Sequence, residues 1–132
     1  MKRFFFLALV GLSINQSCDY KPRNQGKALY AQHCQSCHMD SGEGLGKLFP
    51  PVKNSDYLLA NTTELACLIR HGIDGEISVN GIDYDGQMAG NRQLTDVEIT
   101  NLVHYILVDM NGQEKAFTAI EVKAQLDQCP IE

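Results

Sequence analysis

Cys34, Cys37 and His38 form the sequence feature that most constrains this chain. They belong to the run Cys34-Gln35-Ser36-Cys37-His38, a C-x-x-C-H motif. Two thiols three positions apart lie on one helical turn, where both can form thioethers to the vinyl groups of one porphyrin. The histidine that follows is then placed under the iron as an axial ligand. The spacing therefore predicts one covalent haem c, with Cys34 and Cys37 as thioether ligands and His38 as an iron ligand.

Two other kinds of site use closely spaced cysteines, a thioredoxin-like redox pair and a zinc site. A redox pair needs a strand before the motif, whereas residues 26–35 are predicted to be helical. A zinc site needs a second pair of ligands at metal spacing, and the sequence contains no second C-x-x-C and no H-x-x-H. Both alternatives are therefore weaker than haem attachment.

The N-terminus has the pattern of an export signal. Lys2 and Arg3 precede an apolar run over residues 4–14, which is too short to span a membrane. We interpret residues 1–17 as a signal peptide. Cys18 follows it directly and resembles the lipidated cysteine of a bacterial lipoprotein processing site. We therefore expect export to the periplasm or cell envelope, with a lipid on Cys18 as the protein's sole attachment to a membrane.

Two further cysteines, Cys67 and Cys129, lie outside the attachment motif. In an exported chain such spare cysteines usually pair. We predict a disulfide between them that holds a C-terminal extension, residues 113–132, against the domain; two buried free thiols are the alternative. Its loop would span 62 residues and stabilise the fold by about 3–4 kcal/mol in the chain-entropy model.

Capping residues mark the later helices. Residues 61–64 (Asn-Thr-Thr-Glu) and 95–98 (Thr-Asp-Val-Glu) both place an N-cap residue three positions before a glutamate. The first run predicts a helix that ends at Gly72, and the second predicts a helix that ends near Gly112. Residues 118–128 can form one more helix.

Residues 76–84 predict a small β-hairpin. Their Asn80-Gly81 pair is flanked by alternating apolar residues, which is a strong signal for a tight two-residue turn. The hairpin leads into a glycine-flanked segment, residues 85–90, that we interpret as a loop.

Residues 24–112 resemble the class I (mono-haem) cytochrome c family of the exported bacterial type. Besides the C-x-x-C-H motif, the resemblance rests on Gly26 and Tyr30 in the first helix and on Leu102 and Tyr105 in the last. It implies an all-α cytochrome c fold, with about four to five helices around one haem. It also implies that the first and last helices touch, since glycine has no Cβ and permits a close crossing.

The same resemblance divides the chain. The cytochrome c domain would comprise residues 26–112, and residues 18–25 would form a polar tether between Cys18 and the domain.

The resemblance also implies an axial methionine shortly before the last helix. Met88 occupies that position, inside the predicted loop, and we predict it as the second axial ligand. The family usually has proline after this methionine, where this chain has Ala89. Five other side chains have suitable chemistry but lie beside the attachment turn, at a helix end or in the last helix: Met39, Met110, His33, His71 and His104.

Pro50-Pro51-Val52 resembles the family's Pro-x-Leu segment. This implies that the Pro50 carbonyl accepts a hydrogen bond from His38 Nδ1–H, which would fix the imidazole and raise its basicity. A turn made rigid by two prolines is the alternative. Tyr84 and Tyr57 are expected either to border the haem or to lie in the ordinary core.

A haem held by His38 and Met88 has no open coordination position. We therefore predict a one-electron carrier between redox partners, not an enzyme. Residues 18–132 contain nine Lys and Arg against sixteen Asp and Glu, a net charge of −7. This charge predicts partners with a basic docking face and salt-sensitive complexes, and it argues against nucleic acid binding. We expect a monomer.

Two alternative functions remain open at the level of sequence. In the first, Met88 is labile and the haem acts as a peroxidase or a gas sensor. In the second, the chain is the electron-transfer subunit of a larger oxidoreductase or oxidase complex.

Overall fold

The computed structural model describes residues 22–130, and within this range the fold is mostly helical. The α-helices are α1 (Pro22–His33), α2 (Gln35–His38), α3 (Asp56–Ala60), α4 (Leu65–His71), α5 (Asp96–His104) and α6 (Ala119–Asp127). A 3₁₀ turn (Thr62–Glu64) precedes α4, and a π-helical segment (Tyr105–Met110) continues α5. The short strands are β1 (Gly72–Ile73), β2 (Ile77–Val79), β3 (Ile82–Tyr84) and β4 (Met88–Ala89).

The export signal expected at the N-terminus precedes this range. The predicted signal peptide at residues 1–17 and Cys18, the predicted lipidation site, lie outside the described residues. Within residues 22–130, no helix has the length and apolar character needed to cross a membrane.

The first helix starts earlier than the sequence suggested. α1 begins at Pro22, because proline suits the first turn of a helix, where its missing N–H is not needed. Residues 22–25 of the predicted tether are therefore helical, and the domain boundary expected at Gly26 lies inside α1.

The predicted contact between the first and last helices is confirmed. α1 crosses α5 at Gly26, where a Cβ would overlap the Asn101 carbonyl oxygen and lie 2.7 Å from Tyr105 Cβ. One helical turn further along α1, the Tyr30 ring lies 5.6 Å from the Tyr105 ring, tilted by 52°. Such tilted aromatic contacts add to the stabilisation from burial.

One hydrophobic core joins the longer helices. Its buried side chains come from α3, α4, α5, the π-helical segment and α6 and include Leu58, Leu65, Ile69, Ile99, Leu102, Val103, Ile106, Leu107 and Val122. The core lies behind the attachment motif and gives α1, α4 and α5 fixed relative positions.

The helix count and one predicted cap were wrong. Residues 22–130 contain six α-helices rather than four to five. The extra ones are short: α3 has five residues and α2 four, too few to produce a periodic pattern. The Asn61 side chain makes no capping hydrogen bond, and its Nδ2 instead donates to the Tyr57 carbonyl at 2.7 Å. The helix that was expected to start there begins at Leu65.

The second predicted cap is confirmed. Thr95 Oγ1 accepts the Glu98 N–H at 3.3 Å, and Thr95 N–H donates to Glu98 Oε2 at 2.7 Å. This reciprocal pair satisfies two backbone donors at the start of α5. Thr118 and Glu121 form the same arrangement at the start of α6, so the expected C-terminal helix is also present.

Two pairs of strands lie between α4 and α5. The predicted hairpin pairs β2 with β3 around Asn80 and Gly81, whose φ values of 52° and 77° suit a type I′ turn. The second pair was not predicted: β1 and β4 are antiparallel, with Ile73 opposite Met88. The segment interpreted as a loop is therefore partly a strand.

The C-terminal extension packs back on the domain. α6 contacts α4 and α5 and buries Val122. Cys129, just beyond α6, is joined to Cys67 in α4 by a disulfide with an S–S distance of 2.04 Å.

Replacing Gly26 by Ala should destabilise the fold. The new methyl group would meet backbone atoms of α5 that no side-chain rotation can move, so the two helices must separate. Alanine's helix propensity recovers about 1 kcal/mol, and we expect a net loss of about 2 kcal/mol in the free energy of unfolding. Denaturant unfolding measures it. Gly86→Ala is the control, because a Cβ on Gly86 meets open space; equal effects of both substitutions would contradict the crossing.

Removing the disulfide should lower stability more strongly. With Cys67 and Cys129 both replaced by Ala, the unfolded chain regains the freedom of a 62-residue loop, worth about 3–4 kcal/mol. Denaturant unfolding of the variant and of the reduced wild type should give similar midpoints. Alkylation of both residues in denatured, unreduced wild-type protein would show that the bond is absent.

Candidate functional site

The attachment motif continues the helical path of α1 by one turn. Cys34 N–H donates to the Tyr30 carbonyl at 2.8 Å, and His38 N–H donates to the Cys34 carbonyl at 2.9 Å. Cys34 and Cys37 are half-buried and unpaired. Burial, aided by the nearby Cys37, raises the pKa of the Cys34 thiol to about 11. This thiol is therefore protonated at neutral pH.

His38 has one fixed tautomer. Its Nδ1 lies 2.9 Å from the Pro50 carbonyl oxygen, which can only accept a hydrogen bond. Nδ1 therefore carries the proton, and Nε2 keeps the lone pair that binds a metal. Burial lowers the pKa of His38, and the bond to Pro50 opposes this only in part. The net result is a neutral imidazole at physiological pH, the form that can ligate a metal.

Two glycines hold the Pro50 carbonyl in place. Gly44 has φ +72°, and a Cβ there would overlap the Phe49 carbonyl oxygen and lie 2.7 Å from the Pro50 carbonyl carbon. The Gly42 carbonyl accepts the N–H groups of Val52 and Lys53, both at 2.8 Å. The loop after His38 thus folds back and presents the carbonyl that the imidazole needs.

Cys34, His38 and Met88 line one cavity. It has an inner and an outer part, and both parts are lined by Cys34, His38, Pro50, Ile73, Ile77 and Met88. The rest of the inner wall is mostly apolar and includes Val52, Leu58, Leu65, Leu68, Ile69, Val79 and Ile106. The structure therefore brings Met88, which is 50 residues beyond His38 in the sequence, to the same largely apolar space as the attachment motif.

Met88 is positioned by the β1–β4 pair. Gly72, opposite Ala89, has φ +85° and ψ −165°, a conformation that is nearly restricted to glycine. A Cβ on Gly72 would overlap the Met88 carbonyl oxygen. On the other strand, a Cβ on Gly90 would lie 2.6 Å from the Arg70 and His71 carbonyl oxygens. The two strands can approach this closely because neither glycine has a side chain.

The chain after Met88 is tied to α4. Asn91 N–H donates to the Ile69 carbonyl at 2.9 Å. Arg70 Nη2 also forms an ion pair with Asp96 Oδ1 at 2.6 Å, at the start of α5. These contacts fix the chain between Met88 and the start of α5.

The other candidate ligands lie elsewhere or at the edge. His33 lines only the outer part of the cavity, and His71 is exposed at the end of α4. Met110 packs on Gly42 and on the hydrophobic core. His104 Nδ1 lies 3.9 Å from Asp109 Oδ2.

Met39 adjoins the motif but belongs to the end of α2. It has φ 63°, and its carbonyl accepts the Tyr30 hydroxyl at 3.0 Å. This bond fixes the backbone at the point where the chain leaves the attachment motif. It gives Met39 a structural role.

Both predicted tyrosines border the cavity. Tyr84 is buried against the outer part and donates to the Gly46 carbonyl at 3.0 Å. Tyr57 lines the inner part. The roles of the positioning glycines were not predicted, and the only signal for them in the sequence is their density around Pro50 and Met88.

The donor set fits a c-type haem. It consists of two thiols on one turn, an imidazole with a fixed tautomer, and a thioether, all beside an apolar wall. Within the described range 22–130, no group of three or more His, Cys, Asp or Glu side chains is arranged to hold a metal ion directly.

Comparison with known proteins agrees with this chemistry. A family model described as cytochrome c matches residues 24–108. The chain is 33% identical over 127 residues to a cytochrome c-552 of Thermus thermophilus, an alignment that covers 89% of this chain and 80% of that protein. It is 34% identical over 107 residues to a second cytochrome c-552 of the same species, covering 74% and 81%. The chain belongs to the cytochrome c family, binds one covalent haem c and transfers electrons through it.

Proposed function

We propose that Cys34 and Cys37 hold the haem through thioethers, that His38 and Met88 are its axial ligands, and that the protein shuttles single electrons between redox partners of the cell envelope. The observation that carries this proposal is the shared cavity. His38, with its Nε2 lone pair available, and Met88 both line it next to Cys34.

The chain's own residues tune the site. When bound, the haem supplies a one-electron change between ferric and ferrous iron. The Pro50 carbonyl makes the His38 imidazole more basic, which favours the ferric state. A Met88 ligand and the apolar wall act in the opposite direction, because both favour the state with less positive charge. The balance of these effects sets the reduction potential.

Stable axial ligation supports a carrier rather than an enzyme or sensor. Met88 lies in a strand that pairs with β1, and Gly72 and Gly90 leave little space for that strand to shift. A ligand held in this way does not leave readily, so peroxide or a gas finds no open position on the iron.

Location and partners follow from charge and cysteine chemistry. The Cys67–Cys129 disulfide favours an oxidising compartment, which agrees with the export pattern at residues 1–17. We extend the proposal to periplasmic or envelope location, with Cys18 as a lipid anchor. The net charge of −7 over residues 18–132 favours transient complexes of a monomer with basic docking faces.

Replacing Met88 by Leu tests the axial ligand. Leucine preserves most of the volume but has no sulfur, so ferric protein should lose its far-red sulfur-to-iron charge-transfer band completely and become high-spin. The ferrous form should then bind carbon monoxide, while mass spectrometry should still find the haem attached. Ferric absorption spectra and carbon monoxide titration provide the measurements.

Met110→Leu is the matched control, since Met110 lies in the last helical segment and packs on Gly42. It should keep the band. Survival of the band in Met88→Leu, or its loss only in Met110→Leu, would show that Met88 is not the ligand.

Replacing Gly72 by Ala tests how Met88 is positioned. The new methyl group would strike the Met88 carbonyl oxygen and add backbone strain of about 1–3 kcal/mol. We expect a weaker charge-transfer band and carbon monoxide binding by a fraction of the ferrous protein. Gly75→Ala is the control, because Gly75 also has a positive φ, +113°, but a Cβ added there would have no atom within 4 Å. It should lower stability and leave the band intact; matching spectra for the two variants would refute steric positioning of Met88.

A further inference from the structure

Asn111 connects the last helical segment to the segment that follows Pro50. It comes directly after the π-helical segment and is half-buried. Its Oδ1 accepts the Asn54 N–H at 2.7 Å, and its Nδ2 donates to the Val52 carbonyl at 3.2 Å and to the Ile106 carbonyl at 2.8 Å. One side-chain amide therefore ties residues 52–54 to the core helix.

Besides the bonds to Asn111, residues 52–54 are held by packing of the Val52 side chain on the core and by the attachment loop. The Gly42 carbonyl holds the N–H groups of Val52 and Lys53 from the side of the attachment loop. Asn54 has φ 53°, in the left-handed region, which asparagine adopts more readily than most residues other than glycine. The bond from Asn54 N–H to Asn111 Oδ1 stabilises this conformation, so loss of Asn111 would remove the polar contacts that tie residues 52–54 to the last helical segment.

Val52 is joined to Pro50 by a short and stiff connection. The residue between them is Pro51, and its ring fixes φ, which removes one of the torsions that could absorb a displacement. The Pro50 carbonyl is the hydrogen-bond acceptor of His38 Nδ1. The contacts of Asn111 and the orientation of the imidazole are thus linked through two prolines.

We propose that Asn111 is a positioning residue for His38. Its hydrogen bonds hold the Pro50 carbonyl against Nδ1–H and so maintain the basicity of the imidazole. This inference rests on the proposed function, in which His38 ligates the iron. Since a more basic imidazole favours the ferric state, loss of the Asn111 bonds should raise the reduction potential.

The side-chain amide of Asn111 joins two elements from the end of the π-helical segment. Its Nδ2 donates both to the Ile106 carbonyl, five residues back, and to the Val52 carbonyl, while its Oδ1 accepts the Asn54 N–H. π-helical turns are rare and often occur at functional positions. Here the residue that follows the turn is hydrogen-bonded to the segment that follows Pro50.

The test uses the haem-loaded protein with Asn111→Ala and Asn111→Leu. Both variants remove the three hydrogen bonds, but alanine leaves space that water can enter and leucine fills it. Asn101→Ala is the control: Asn101 is a buried asparagine of α5 whose Nδ2 donates to Gln25 Oε1 at 3.0 Å, away from residues 50–54. Redox titration gives the potential, and proton NMR gives the exchange rates of His38 Nδ1–H and the Val52 amide.

We expect both Asn111 variants to raise the potential and to speed exchange of both protons by about tenfold, the effect of losing one net hydrogen bond. Asn101→Ala should lower stability without either change. Unchanged exchange and potential, or a potential that falls in either Asn111 variant, would overturn the role of Asn111. Haem attachment and the far-red charge-transfer band of the wild-type protein are measured first. If either is absent, the proposed function is refuted, whatever the Asn111 variants show.

Discussion

Close contact between backbones at glycine positions is the constraint on which both sides of the cavity depend. Gly44 lies against the backbone of Phe49 and Pro50, so the proximal carbonyl can face His38. Gly72 and Gly90 permit the tight β1–β4 pair that carries Met88. A Cβ at any of these positions would push apart two chain segments whose separation determines where a proposed ligand, His38 or Met88, lies. Ligand geometry is therefore encoded by the absence of side chains as much as by the ligands.

The sequence predicted what local chemistry determines. The C-x-x-C-H turn, the Thr95 cap and the Asn80-Gly81 hairpin each depend on residues within a few positions of one another, and their patterns have few alternative structures. The β1–β4 pair could not be predicted, because two-residue strands have no periodicity and the paired residues are 15 and 17 positions apart in the sequence. The Asn61 cap was predicted wrongly for a related reason: the side chain is oriented by a hydrogen bond from Nδ2 to the Tyr57 carbonyl of α3, a five-residue helix that the sequence pattern did not predict.

The C-terminal extension stabilises α4 and, through it, the strand pair that contains Met88. α6 packs on α4, and the disulfide joins the two through Cys67. The end of α4 continues without a break into β1, the partner strand of Met88. Because α4 is only seven residues long, its own hydrogen bonds give it little stability. Its position depends on packing, and the extension contributes much of that packing.

The two axial ligands of the proposed site are held in different ways, and this difference matters for electron transfer. His38 is oriented by a single hydrogen bond whose acceptor depends on Gly42, Gly44 and Asn111. Met88 is oriented by strand pairing along its own backbone. Neither arrangement relies on a flexible surface side chain, so ligand positions change little when the iron changes charge. A site that is organised in advance needs less rearrangement during reaction. Small changes in the reduction potential are then expected to come from His38, because its orientation depends on one hydrogen bond to Pro50 and not on a pair of strands.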